Sequence, residues 1–160
     1  MHPSLPIQLI LAKFEEDLLS FRNVVFNLPP NLSGEILYNF LDRSVFLLHR
    51  CGELLRLVTT EDKPKELNGE IVSAVFEALF TVKTFYDKVE KQTPLFLDQI
   101  TLFFEPLKDK LDQLVGTFHS ALYLEENKID FEEMAYIIEG LSQTVEILIE
   151  GIKKIEDKIL

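Results

Sequence analysis

The sequence predicts an all-α fold, a single-domain up-and-down bundle of about five long helices over residues 1–160. Apolar residues recur at alternating steps of three and four in five separate segments, which places one continuous stripe along each helix. Alternation by two, the pattern of a half-buried strand, occurs nowhere at comparable length. The segments are about 25 to 30 residues long, which suits bundle helices and exceeds the length of a strand.

Turn-forming residues mark the ends of these segments. They are Pro29-Pro30-Asn31, Glu61-Asp62-Lys63-Pro64, Thr93-Pro94 and Glu126-Asn127-Lys128. We expect Asn68 and Asp130 to be N-cap residues, and Asp130 with Glu133 has the spacing of a capping box. Thr93 is expected to cap the fourth helix, because a proline follows it at the first helical position.

The apolar stripes identify the residues that we expect to form the core. The first segment contributes Ile7, Leu11, Phe14, Leu18, Phe21, Val25 and Leu28. The second contributes Leu37, Leu41, Ser44, Leu48, Cys51, Leu55 and Val58. The third contributes Val72, Val75, Leu79, Val82, Tyr86 and Val89.

The fourth and fifth segments continue the same spacing. The fourth contributes Ile100, Phe104, Leu107, Leu111, Leu114, Phe118 and Ala121. The fifth contributes Met134, Ile138, Leu141, Val145, Leu148, Ile152, Ile155 and Ile159. Pro106 lies inside the fourth segment, where it removes a backbone hydrogen bond to Leu102, so this helix is predicted to be kinked or split there.

Four glycines fall in predicted helix interiors, where each costs about 1 kcal/mol relative to alanine. They are Gly52, Gly116, Gly140 and Gly151. We interpret them as a tolerated cost or as points of close helix approach. The alternative is local flexibility or contact with a partner at those positions.

Composition excludes several classes of function. The chain has 27 acidic and 16 basic residues and a net charge of -11, so nucleic acid, itself a polyanion, is not an expected partner. No apolar stretch approaches the roughly 20 residues that cross a bilayer. The start of the chain has no basic region of a secretory signal, and Cys51 is the single cysteine, so we expect a cytoplasmic protein without disulfides.

The residue types that carry common bundle chemistry are sparse. Bundle di-iron sites use Glu-x-x-His motifs, but Phe46 stands three residues before His49 and Gly116 three before His119. Phosphate-binding glycine loops are also missing from the sequence. Cys51 lies on the core stripe and is interpreted as a small core residue. We therefore expect no metal, no cofactor and no enzymatic activity.

Acidic residues on the last segment form a regular row. Glu132, Glu139 and Glu146 recur every seven residues, and Glu150 follows them. We expect this row to lie opposite the apolar stripe as a solvated outer face. The functional alternative is an acidic rim that attracts a basic partner.

The start of the fourth segment is apolar over an unusually wide face. Phe96 and Phe103 flank its stripe, and Leu95 and Leu102 lie further round the helix. Such a helix is either enclosed by several neighbours or exposes an apolar surface for another chain or for self-association.

These observations favour a non-enzymatic protein–protein interaction module, an adaptor or chaperone-like bundle. It would bind a partner helix, or a second copy in a homo-oligomer, through an apolar helix face with an acidic rim. The alternative is an enzyme or a bundle that binds a small ligand or a metal between the second and fourth helices. That site would contain His49, Glu53, Cys51, His119 and Tyr123.

Overall fold

The computed structural model describes residues 5–30, 32, 34–58, 65–92, 97–123 and 130–159. The side chains of residues 5, 34, 65, 66, 97–104, 121–123 and 155–159 lie outside this description. The described residues form five α-helices: α1 (Leu5–Phe26), α2 (Gly34–Val58), α3 (Lys65–Gln92), α4 (Leu97–Tyr123) and α5 (Phe131–Ile159). No strand occurs among them, so the predicted all-α bundle is confirmed.

The helices α2 and α3 are at the centre of the bundle. The most extensive packing is between α2 and α5 and between α3 and α4, while α1 lies against both α2 and α3. Contacts between α4 and α5 are the sparsest of the packed pairs. The bundle is therefore a four-helix arrangement of α2 to α5, with α1 added on the side formed by α2 and α3.

Paired residues establish the helix directions. Along α2 and α5, Arg56 pairs with Glu139 and His49 with Glu146, so these two helices are antiparallel with matched seven-residue steps. Along α1 and α3 the numbers rise together: Arg22 contacts Glu77, and Lys88 contacts the end of α1. The helix α1 is therefore parallel to α3.

The predicted stripes form the core. Every stripe residue whose side chain is described is buried, except for three half-buried residues at the helix ends, Ile7, Leu28 and Val58. The polar member Ser44 is buried, donates a hydrogen bond to the Leu41 carbonyl at 2.6 Å, and lies 3.1 Å from the Tyr86 hydroxyl. A seven-residue apolar repeat thus predicts the buried face of each helix.

Two of the predicted helix signals are resolved by the structure. Asp130 is an N-cap, because its Oδ1 accepts a hydrogen bond from the Glu133 amide at 3.1 Å. The prediction for Asn68 is wrong: α3 already begins at Lys65, and the burial of Leu67 anchors this extra turn in the core. Thr93 and Pro94 lie outside the described residues.

The helix α4 continues through Pro106 without a break, so the predicted split is wrong. Pro106 is exposed, so its ring lies on the solvent side of this helix. A bend at this position stays a prediction.

Gly52 marks a close approach of two helices. A Cβ added at Gly52 of α2 would lie 3.2 Å from Glu139 Cγ and 3.6 Å from the Ala135 carbonyl oxygen, both on α5. The predicted close approach is therefore confirmed at this glycine. At Gly116, Gly140 and Gly151 an added Cβ would meet nothing within 4 Å, so close packing does not explain them.

Candidate functional site

The surface between α1 and α3 contains two adjoining hollows. We name the first the acidic hollow. It has a volume of about 680 Å³, and its charged lining residues are Glu15, Glu70 and Glu77 together with Arg22. The pair of Arg22 and Glu77 leaves the exposed carboxylates of Glu15 and Glu70 facing solvent, so this hollow has a net negative charge.

The second, which we name the apolar hollow, has a volume of about 360 Å³ and lies nearer the C-terminal end of α1. Three phenylalanines, Phe26, Phe76 and Phe80, contribute to its lining. Arg22 and Glu77 line both hollows, so the two form one continuous depression, the α1–α3 groove.

Large apolar side chains are exposed along this groove. The exposed fraction is 57% for Leu19, 70% for Phe26 and 53% for Phe80. Each of the three follows a buried stripe residue, and one step along an α-helix rotates a side chain by about 100°. They therefore lie beside the core stripe and not within it. Apolar surface of this kind on a folded protein commonly marks an interface.

A cation lies at the apolar end of the groove. Lys88 Nζ is 3.1 Å from the carbonyl oxygen of Val25 and 5.4 Å from the centroid of the Phe26 ring. Val25 is in the last turn of α1, where carbonyl groups have no intrahelical donor, so Lys88 caps this helix. The groove thus has carboxylates at one end and a bound ammonium group at the other.

One lining residue of the groove also contacts α4. Phe76, which lines the apolar hollow, lies with its ring centroid 6.5 Å from that of His119 on α4. The helices α1 and α4 both pack against α3. Phe76 therefore connects the groove, whose lining residues come from α1 and α3, with a residue of α4.

The predicted acidic row on α5 is divided between two environments. Glu139 is half-buried beside α2 and receives two hydrogen bonds from Arg56, at 3.1 and 2.8 Å. These hydrogen bonds raise the pKa of Arg56. Glu146 Oε1 lies 3.6 Å from His49 Nε2, also on α2. The expected position of these two residues opposite the apolar stripe is wrong, because each follows a stripe residue and lies at the edge of the α2–α5 contact.

The other two members of that row face solvent. Glu132 and Glu150 are exposed, and Glu150 Oε1 is 3.9 Å from Lys153 Nζ. A binding role for the acidic rim stays a prediction for all four residues.

The residues of the alternative site are distributed over separate contacts. His49 faces α5, where Ser142 Oγ is 3.4 Å from its Nε2 atom, whereas His119 faces α3. The expected neighbour Glu53 is hydrogen-bonded to Arg50 at 2.8 Å. The structure does not bring the two histidines to one contact, since α2 packs on α1, α3 and α5 and α4 packs on α3 and α5.

The remaining members of the alternative site do not add to it. Cys51 is completely buried, and this burial raises the pKa of its thiol far above the usual range, which keeps the group protonated. The side chain of Tyr123 lies outside the described residues. Within the described part of the chain, no group of three or more His, Cys, Asp or Glu side chains is placed to hold a metal ion.

The wide apolar face predicted at the start of the fourth helix is not tested by the structure. Leu95 and Phe96 lie outside the described residues. Leu102 and Phe103 are helical, but their side chains are also outside the description. Their assignment to core or interface stays a prediction.

Sequence reasoning missed the α1–α3 groove. The signal was present: Leu19, Arg22 and Phe26 follow the spacing of three and four on one flank of the first stripe, and Phe76 and Phe80 are four residues apart. The spacing does not show that this flank of α1 and this flank of α3 lie side by side. That depends on the parallel packing of α1 and α3.

Among the helices that the structure describes, none combines the length and apolar character needed to cross a membrane. No protein-family model matches this chain, and no solved structure matches it. The chain is similar to an uncharacterized protein of Aquifex aeolicus (strain VF5), with 23% identity over 154 residues, which covers 89% of this chain and 90% of that relative.

Proposed function

We propose that the protein is a non-enzymatic protein–protein interaction module that binds a helix of a partner in the α1–α3 groove. One observation carries this proposal: Leu19, Phe26 and Phe80, all more than half exposed, lie along a single groove beside a cluster of carboxylates.

The dimensions of the groove favour a helical ligand. The residues Glu15 and Phe26 lie at its two ends, and the intervening part of α1 is about 16 Å long at a rise of about 1.5 Å per residue. This length accommodates about three turns of a bound helix. Apolar grooves between helices are a common docking surface for amphipathic helices, which insert residues at spacings of three, four and seven.

The exposed phenylalanines supply the expected affinity. Complete burial of a phenylalanine side chain is worth about 1.5 to 3 kcal/mol relative to leaving it in water. Phe26 and Phe80 therefore contribute binding energy that the free protein does not use. Aromatic residues at the centre of an interface commonly provide its largest contributions.

We also infer that the partner is a protein in the cytoplasm and not a nucleic acid. The net charge of -11 and the acidic hollow support this inference, because a polyanion would be repelled from both. The single cysteine, buried in the core, supports an environment in which disulfides are not required.

The test is native mass spectrometry of the protein purified from its own source, with the double variant Phe26→Ser, Phe80→Ser beside it. We expect a co-purifying polypeptide with the unmodified chain and its loss with the double variant. The matched control is Ile147→Ser, an equally exposed apolar residue on α5, which should retain the polypeptide. Retention by the double variant, or the mass of a metal or small molecule in place of a polypeptide, would contradict the proposal.

A further inference from the structure

The α1–α3 groove is chemically different at its two ends. The acidic hollow presents Glu15 and Glu70 to solvent, whereas the apolar hollow presents Phe26 and Phe80. Arg22 and Glu77, which are paired, lie between them. A ligand that fills the groove must therefore bring positive charge to one end and apolar side chains to the other.

We propose that the occupant of the groove is a basic amphipathic helix of another protein. Its Lys or Arg residues contact Glu15 and Glu70, and its apolar residues pack on Phe26 and Phe80. This inference rests on the proposed function and adds the chemistry of the partner. The apolar contacts supply affinity, and the charges select the partner and set its register in the groove.

Charge favours a different protein over a second copy of this chain. In a symmetric dimer the same patch would meet itself, so the two acidic hollows would be brought into one interface. Like charges across an interface are repulsive, and the net charge of -11 adds to that repulsion. A basic helix replaces this repulsion with attraction at the same carboxylates.

The test uses a fluorescently labelled, hydrocarbon-stapled peptide of about 14 residues, long enough for the groove and held helical because short isolated helices are marginal in water. Leucines occupy one face, and lysines flank one end of that face. Two matched peptides carry glutamine or glutamate in place of each lysine. Binding to the full chain is measured by fluorescence anisotropy at low salt and at high salt.

We expect the lysine peptide to bind about tenfold or more tightly than the glutamine peptide, with the glutamate peptide weakest. The preference should fall at high salt, because exposed charges are screened. The double variant Glu15→Lys, Glu70→Lys should remove the preference for lysine. The control Glu150→Lys, a reversal on the exposed face of α5, should leave it unchanged.

The outcomes separate the two proposals. If all three peptides bind equally and Phe80→Ser weakens each of them, the interaction function stands and the basic partner is wrong. If no peptide binds in a manner that depends on Phe26 or Phe80, both proposals are overturned. If the chain dimerises through Phe26 and Phe80 in sedimentation equilibrium, the occupant is a second copy and the basic helix is rejected.

Discussion

Arg22 and Glu77 form an ion pair that connects α1 to α3, with Arg22 Nη2 3.2 Å from Glu77 Oε2. Both side chains are partly exposed, so the pair itself adds little to stability. Its importance is positional, because it lies where the acidic and apolar hollows meet. By neutralising Glu77 it leaves the negative charge of the groove at the Glu15 and Glu70 end.

Removal of the exposed aromatic rings from the groove should leave the fold intact. For Phe26→Ser with Phe80→Ser we expect the free energy of unfolding to change by less than about 1 kcal/mol, because surface side chains contribute little to stability. The measurement is urea denaturation followed by circular dichroism. The buried neighbour Phe21 is the contrast: Phe21→Ala should cost about 3 to 5 kcal/mol. A large loss for the exposed pair would show that these rings are part of the core.

Alanine substitutions should separate the packed glycine from the open ones. Gly140→Ala should raise the free energy of unfolding by about 0.5 to 1 kcal/mol, because an added Cβ meets nothing and alanine favours the helix. Gly52→Ala should raise the free energy of unfolding by less than this, or lower it. The alanine Cβ would lie 3.2 Å from Glu139 Cγ and would disturb the hydrogen bonds that Glu139 accepts from Arg56. If urea denaturation gives the same increase in the free energy of unfolding for both variants, the close approach of α2 and α5 is contradicted.

The two predicted caps should behave differently on truncation. Asp130→Ala should lower the free energy of unfolding by about 1 kcal/mol, because the Glu133 amide loses its hydrogen-bond acceptor at the start of α5. Asn68→Ala should leave the free energy of unfolding unchanged or raise it, because Asn68 lies inside α3 and its buried Oδ1 has no hydrogen-bond partner among the residues that the structure describes. Comparison of the two thermal melts tests this difference. A larger loss at Asn68 would restore it as a cap.

Stability should fall at alkaline pH. Burial raises the pKa of Cys51 above its ordinary value of 9.0 and that of Tyr86 above 10.0, so both groups stay protonated in the folded state. The unfolded chain releases these protons above pH 9 and then pH 10, so the contribution to stability is complete below pH 9 and is lost as pH rises. We expect a decline of up to about 1.4 kcal/mol per pH unit for each group.

The measurement for this decline is urea denaturation at intervals from neutral pH to beyond the ordinary tyrosine range. Tyr86→Phe should reduce the decline on its upper part, because the phenol is then missing from both states. A thiol reagent should modify Cys51 only as the chain unfolds, so its rate should rise with urea. Rapid modification of the native protein would show that the thiol is accessible.

Local pattern was sufficient for most of the fold. The predicted stripes of α2 and α3 consist of residues that are buried in the structure, apart from the half-buried Val58, because a core-facing helix must place an apolar residue every three or four positions. Asp130 was predicted from its own side chain and the three residues after it. The position of Asn68 inside α3 was not predicted. Burial of Leu67 in the core extends α3 by a turn before the residue that the local signal marks as the cap.

The sequence by itself therefore determined the fold class, the core faces and the acidic character of the surface. Only the tertiary structure decided which flanks meet: it brought Leu19, Phe26 and Phe80 to one groove, and it placed Glu139 against Arg56 and not in open solvent. The physical reason is that the spacing of residues within one helix gives only the angle between a side chain and the core-facing stripe of that helix. The neighbour beside that flank depends on how distant helices pack, and no local spacing encodes it.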